Sequence, residues 1–331
     1  MVKILETSEI RNLIVRSIFI LFVCLYCSDI YAYETLNPIS YGIYEAKNGK
    51  ERYNCILKCH KDAVLRQAAI SYEGVGSLDI EIPYNAESIP LVEYVDFAGV
   101  ELNVLNVNNQ SFLFCKNSSV NEIQVSASDI DKGDFSRQGM LSTGKFVLCI
   151  YDDIPWVENR KGYDYGAKRK DLLVIEKGKA QNRVVCGYDN SFSAPKTFYF
   201  ETKGKTIIKN LTVNRSAQST YMTNVIFLNN QYDVMLDGIV INTPQDNKLY
   251  GDAAIRIENS AKVLLQNIRI NGTYSQLREY GYGFKLNNVY DLTCVGLYGR
   301  GRWGVFGTYN MNCVTLRNCD INRFDIHCYG K

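Results

Sequence analysis

Net charge is almost absent from this chain. Its 331 residues carry 37 Lys and Arg against 35 Asp and Glu, a formal +2, so bulk electrostatic binding of nucleic acid is not expected. Histidine is scarce, with only His60 and His327. Of the 11 cysteines, nine (55, 59, 115, 149, 186, 294, 313, 319 and 328) lie beyond residue 32. An odd number at irregular intervals is not a disulfide framework. Cys55 and Cys59 are spaced to pair or to share a metal, but no second couple with histidines accompanies them, which argues against zinc. Cys294 and Cys319 stand at repeat positions otherwise filled by Leu or Ile, where a free thiol packs as a small hydrophobe. A membrane-spanning apolar run is also missing. Asn12 to Cys27 falls short of the ~20 residues a spanning helix needs. With Lys3 and Arg11 before it, Arg16 within it and the small Ala32 after it, it reads as a secretory signal over residues 1–32. A membrane anchor is the competing reading. The expectation is export to the medium, periplasm or cell surface, with no stable membrane span after cleavage.

What the chain does contain is a repeat. TIIKNLTVN, VMLDGIVIN, VLLQNIRIN, LTCVGLYGR and VTLRNCDIN align on Asn210, Gly238, Asn267, Gly296 and Asn318, with steps of 28, 29, 29 and 22 residues. Recurrence near that period marks a stacked solenoid. A second column follows each phrase: VIFLNN, AIRIEN, GFKLNN, GVFGTY and DIHCYG, with steps of 29, 29, 21 and 21. Each coil then has at least two strands, and the coils stack in parallel. Before the repeat, apolar residues between Leu57 and Tyr72 recur at helical spacing, and SLDIEIP alternates like a strand. The expected class is all-β, a parallel β-helix with an N-terminal capping helix. Its expected parts are a cap and first coil over 33–115, an irregular strand-rich insertion or early coils over 116–204, and regular coils over 205–331. The segment ENRKGYDYGAKRK, with Arg160, Lys161, Lys168, Arg169 and Lys170 and with Lys177 beyond it, suits an anionic ligand or a solvated hairpin flank.

Strand alternation assigns the side chains of the second column. Ile226, Ile255, Phe284, Val305 and Ile326 form one expected inward stack, and Leu228, Ile257, Leu286, Gly307 and Cys328 another. Outward positions then read Asp252, Ala254, Arg256; Gly281, Gly283, Lys285; Arg302, Gly304, Phe306; and Arg323, Asp325, His327. Small residues in mid-strand often mark close approach of another molecule, so a groove floored by Ala254, Gly283 and Gly304 is expected. Asp252, Arg256, Lys285, Arg302 and Tyr280 are its candidate substrate-binding residues. Arginine suits the carboxylates of an acidic sugar chain. Tyr282, Trp303 and Phe324 lie beside the groove but point inward by parity, as a core stack would. A two-carboxylate hydrolase needs acids ~5 to 9.5 Å apart, and Asp252 and Asp325 lie three coils apart, ~14 Å. A lyase needs a base and a cation that neutralises the neighbouring carboxylate. Arg323, Asp325 and His327 on one strand are the candidate catalytic set; an incidental surface histidine is the competing reading.

The helix, SLDIEIP and the coils VIFLNN, AIRIEN and GFKLNN with asparagine turns resemble the pectin-lyase-like right-handed parallel β-helix superfamily, over roughly 55–115 and 205–331. That resemblance implies a protein that cleaves, epimerises or binds acidic polysaccharide. The NTDG signature of polygalacturonases is absent, as is the outward aspartate cluster that holds calcium in pectate lyases. No cofactor is therefore expected, and calcium is only weakly supported. The reading is a secreted protein acting on an acidic polysaccharide, with a lyase activity or, alternatively, a non-catalytic binding or surface role. DIHCYGK ends in a strand with nothing after it to cover Ile326 and Cys328. The expectation is a shortened chain, a partner chain or oligomer over the last coil, or a cap from an earlier segment.

Overall fold

The computed structural model describes residues 34–106, 112–155, 168–185, 187–188, 194–215, 224–243, 253–272, 282–299 and 304–326. The expected signal over 1–32 lies outside them. The chain is an all-β parallel solenoid with a helix over its first coil. Three stacks of parallel strands build it. The first face stacks Thr35–Leu36, Ala69–Ser71, Tyr94–Asp96 and then residues 206–209, 232–237, 261–266, 289–295 and 311–317. The second runs from Ser77–Glu81 and Glu101–Asn106 to Asp320–Ile321. The third stacks Ile89–Pro90, Phe112–Asn117, Asn224–Asn229 and residues 253–258, 282–287, 304–309 and 324–326.

Corners explain the repeated phrase. Asn210, Gly238, Asn267, Gly296 and Asn318 all sit at the bend between first and second faces with φ of 60, 63, 51, 64 and 51°. Left-handed backbone costs an ordinary L-residue ~1–2 kcal/mol, which Gly avoids and Asn partly offsets by local hydrogen bonding. These five positions hold only those two types for that reason. Asn230, Asn259, Asn288 and Asn310 do the same between third and first faces, with φ of 56, 46, 57 and 51°. Amides also tie coil to coil. Asn271 donates to Asn242 (2.7 Å), Asn242 to Asn214 (2.7 Å), Asn214 to Asn103 (2.9 Å) and Asn103 to Asp79 (2.9 Å).

The capping helix spans Gly49–Arg66, starting earlier and ending sooner than the apolar spacing predicts. Asn48 caps it by accepting from the Glu51 amide at 2.9 Å, and Gln67, at φ 55°, ends it. Ala69–Ser71 then joins the first face instead of extending the helix. Tyr53, Ile56, Cys59, His60 and Ala63 are buried along one side of the helix and close the solenoid core. Gly49 is required there, because a Cβ would lie 2.7 Å from the Glu81 amide nitrogen.

The described residues between 121 and 201 are not coils. They form an antiparallel sheet in the order Lys179–Ala180, Lys168–Glu176, Lys145–Pro155, Lys196–Glu201, Asn121–Ile123. The sheet is an insertion within one coil, since Tyr94–Asp96 and Glu101–Asn106 pair directly with Thr206–Arg215. One side carries its own core, including Phe135, Leu148, Ile150 and Tyr188. The other side docks on the solenoid through Val147, Cys149, Leu172, Val174 and Phe200 against Ala261 and the flanks of Tyr232 and Tyr290. Among the described cysteines none is paired; Cys59, Cys149 and Cys294 are buried and Cys313 is exposed. At the far end Val314 and Leu316 are 39% and 42% exposed. They stand in register with the fully buried Leu292 and Cys294 one coil earlier.

His60 gives the cap a pH dependence. Its Nδ1–H donates to Pro90 O (2.7 Å), and its Nε2 accepts from the Tyr72 hydroxyl (2.8 Å). Burial pushes its pKa down to about 4. The folded ring stays neutral while the unfolded chain protonates near ~6.5, so stability is full above that pH and falls as pH drops toward about 4, by roughly 3 kcal/mol. Thermal unfolding followed from pH 7 to pH 4 should show this loss in the native chain and a smaller loss in His60→Gln. Equal loss in both would remove His60 as the cause.

Candidate functional site

The third face presents two outward columns. Buried Ile226, Leu228, Ile255 and Ile257 fix its inward side, so the alternate residues face out. Register places Cys115, Phe227, Arg256 and Lys285 in one outward column, and the backbone ladder continues from Lys285 to Gly307 and Asp325. Asn117, Asn229, Glu258 and Asn287 make the next.

Arg256 is held in place from two sides. Its Nε and Nη2 donate to Glu258 Oε1 at 2.8 and 2.6 Å. Its guanidinium lies 5.7 Å from the Phe227 ring centre, and Phe227 stacks on Phe112 at 4.2 Å and 15°. A fork fixed in this way is ordered before any ligand arrives. Lys285 is half-buried and follows Arg256 one ladder step on. Asn287 Oδ1 is buried with no hydrogen-bond partner among the described residues.

The inserted sheet borders this surface. Tyr151 donates to Asn259 Oδ1 at 2.8 Å, and Asn288 Nδ2 donates to the Asp171 carbonyl at 3.4 Å. Lys170 sits 5.5 Å from the centre of the Tyr151 ring. Burial lowers the Lys170 pKa, and the nearby Glu258 carboxylate opposes that shift. Burial raises the Tyr151 pKa, with Cys149 and then Glu258 adding to it. Its neighbours in the basic run are otherwise engaged: Arg169 pairs with buried Asp152 at 3.0 Å and Lys168 with Asp153 at 2.8 Å. The result is a surface of three cations, one carboxylate, carboxamides and aromatic rings, suited to an anionic polar ligand with apolar faces.

The other expected residues fall unevenly. Asp252, Tyr280, Arg302 and His327 lie outside the described residues. Arg323 is exposed beside the last strand, and its carbonyl accepts from the Phe306 amide at 3.5 Å. Asp325 pairs with Gly307, two ladder steps from Lys285 and three from Arg256. Glu258 belongs to the neighbouring column three steps from Asp325, ~14 Å at the stacking distance, too far for a two-carboxylate hydrolase. Among the described residues no three His, Cys, Asp or Glu side chains are grouped to hold a metal.

Two expectations are corrected. Phe306, expected outward, has no exposed surface and stacks between Phe284 (4.8 Å) and Phe324 (4.9 Å). Val305 and Ile326 do not stack on Phe284, because Phe284 pairs with Phe306 and Phe306 with Phe324. The coil step is thus 306 − 284 = 22, matching Gly296 to Asn318, and not 21. A one-residue slip turns every side chain over. Burying a phenylalanine contributes ~1.5–3 kcal/mol and ring stacking ~0.5–1.5 more, whereas aligning Gly304 with Gly283 contributes nothing comparable. The expected floor also fails. Gly304 pairs with Tyr282, and Ala254 has no exposed surface and belongs to the core. Phe112, Phe227, Tyr151 and Glu258 are not among the residues the sequence pointed to. Phe227 was within reach, since it occupies the outward position of VIFLNN one coil before Arg256.

No protein-family model and no curated protein sequence matches the chain. Its structure is similar to that of a tailspike protein from Pseudomonas phage LKA1, with a TM-score of 0.53 and 13% identity over 86% of this chain and 50% of that one. It also aligns with the tailspike of Acinetobacter baumannii bacteriophage AP22, solved with A. baumannii capsular saccharide, at a TM-score of 0.42 and 11% identity over 86% and 58% of the two chains. The chain therefore spans about half the length of the first and 58% of the second. The first likeness shows a shared β-helix fold.

Glu258 links the face to the insertion, and titration reports it. In Glu258→Gln the Lys170 amine should titrate at lower pH than in the native chain, because the charge opposing desolvation is gone. NMR of the lysine amine would measure this; an unchanged titration would separate the insertion from the face.

Proposed function

We propose that this protein binds an extended acidic polysaccharide along its third face and belongs with the exported pectin-lyase-like β-helix proteins. The observation that carries the reading is the column in which Arg256 and Lys285 follow one another in ladder register, flanked by Phe227, Asn287 and the insertion's Lys170. Successive coils rise ~4.8 Å, of the order of one sugar unit, so repeating carboxylates meet repeating cations. The rings take the apolar faces of the sugars. Asp252, Tyr280 and Arg302 would extend the same surface. No helix among the described residues is long and apolar enough to cross a membrane, and the leader read from residues 1–32 is part of the proposal.

Cleavage by β-elimination is the second reading. The backbone ladder that holds Arg256 and Lys285 reaches Asp325, two residues after Arg323 and two before His327 in sequence, and a lyase needs only a base and a carboxylate-neutralising cation. Incubation with polygalacturonate, alginate, hyaluronan and neutral dextran separates the readings. Retention of an acidic polymer but not dextran supports binding, and new ultraviolet-absorbing unsaturated ends support the lyase. Replacing Arg256 and Lys285 together by Ala should weaken binding of that polymer ~10- to 100-fold, the equivalent of ~1.4–2.8 kcal/mol. Activity lost in Arg323→Ala but kept in Lys177→Ala would assign cleavage to the last coil. Equal retention of dextran and the acidic polymers would overturn the reading.

A further inference from the structure

A second concavity lies where the capping helix ends against the first coils. It has a volume of about 480 Å³, within the range of small-molecule sites, and mixes apolar and polar walls. Ala63, Ala68 and Ala69 from the helix end form one side; Glu93, Lys116 and Lys203 bring charge to it.

Lys116 is the anomaly. It pairs with Leu228, which continues through Ile257 to Leu286, a column that packs into the core. Those three later residues have no exposed surface. An aliphatic side chain is what the column accepts, and the facing alanines leave the space that a leucine and a larger helix residue would otherwise fill. The chain instead places an ammonium there, half-buried, with no described carboxylate within ion-pair distance. Burial pushes its pKa down to about 8, and the Glu93 carboxylate opposes that shift without restoring the ordinary value. An amine so held lowers the stability of the empty protein and rewards an arriving anion. The cavity's charged side chains, two lysines against one glutamate, favour the same sign of ligand.

We infer that this cavity binds a small carboxylate of about monosaccharide size, with Lys116 as the residue that neutralises it. Glu93 and Lys203 flank the remaining polar groups, and the alanines accept its apolar side. Cys115 and Asn117, which stand in the outward columns, also line the cavity, so the two sites adjoin; Lys116, Glu93, Lys203 and the alanines belong to the cavity alone, and replacing Lys116 tests it apart from polysaccharide binding.

Calorimetric titration of the full chain with galacturonate, with glutarate and with neutral galactose tests it. At pH 8, where Lys116 is close to half-protonated, carboxylate binding should take up as much as about half a proton, read by repeating the titration in buffers of different ionisation heat. Galacturonate binding alone supports a sugar acid; binding of both acids supports a carboxylate site without sugar selectivity. Lys116→Met fits the aliphatic column, should melt at a higher temperature than the native chain, and should bind the acid at least ~10-fold more weakly. Arg256→Ala should leave the titration unchanged. Binding of galactose as tight as that of the acids, no binding of either acid up to about 10 mM, or full affinity in Lys116→Met would each overturn the inference.

Discussion

Everything in this molecule depends on in-register parallel stacking around left-handed corners. A β-helix has no hairpins, so each strand is positioned by the coil beneath it and by the bends at either end. Asn210, Gly238, Asn267, Gly296 and Asn318 bend five successive coils at the same place. The straight segments between corners then fall into ladders in which like residues meet, and the amide chain from Asn271 to Asp79 is one result.

Stacking turns a repeat into a surface. On the inner side it lines up Ile226, Ile255, Phe284, Phe306 and Phe324. On the outer side it brings together Phe227, Arg256 and Lys285, which are 29 residues apart in sequence (256 − 227 and 285 − 256). The same constraint makes ends costly. The capping helix covers the first coil with Tyr53, Ile56 and Ala63, whereas Val314 and Leu316, at the other end of the described residues, keep part of their inward faces in contact with solvent.

The inserted antiparallel sheet breaks the repeat and adds what stacking alone does not supply. It has a core of its own and docks through a second apolar layer. Its edge brings Lys170 and Tyr151 up to Glu258 and Asn259. A flat ladder of side chains becomes a surface with a wall. At the same bend in earlier coils, the cavity beneath the capping helix is lined by Lys116, which takes the place that Leu228 holds in the core column.

The sequence by itself determined the solenoid, its period and its cap, because the corner residues and the alternating strands are local and repeat. It also determined that Arg256 and Lys285 are neighbours, since both follow an unbroken 29-residue step. Tertiary structure alone decided the last coils. Their register turns on whether Phe306 or Val305 meets Phe284, a packing choice between adjacent residues that alternation cannot make. The limits of the capping helix, the antiparallel pairing of the inserted sheet and its docking were likewise invisible: the helix stops where Ala69–Ser71 is drawn into the first face, and the docking rests on contacts between residues over a hundred positions apart, such as Tyr151 with Asn259. Lys116 shows the same division. In sequence it is one lysine in FLFCKN; only the column shared with Leu228 reveals that it occupies a position that the following coils fill with core leucine and isoleucine.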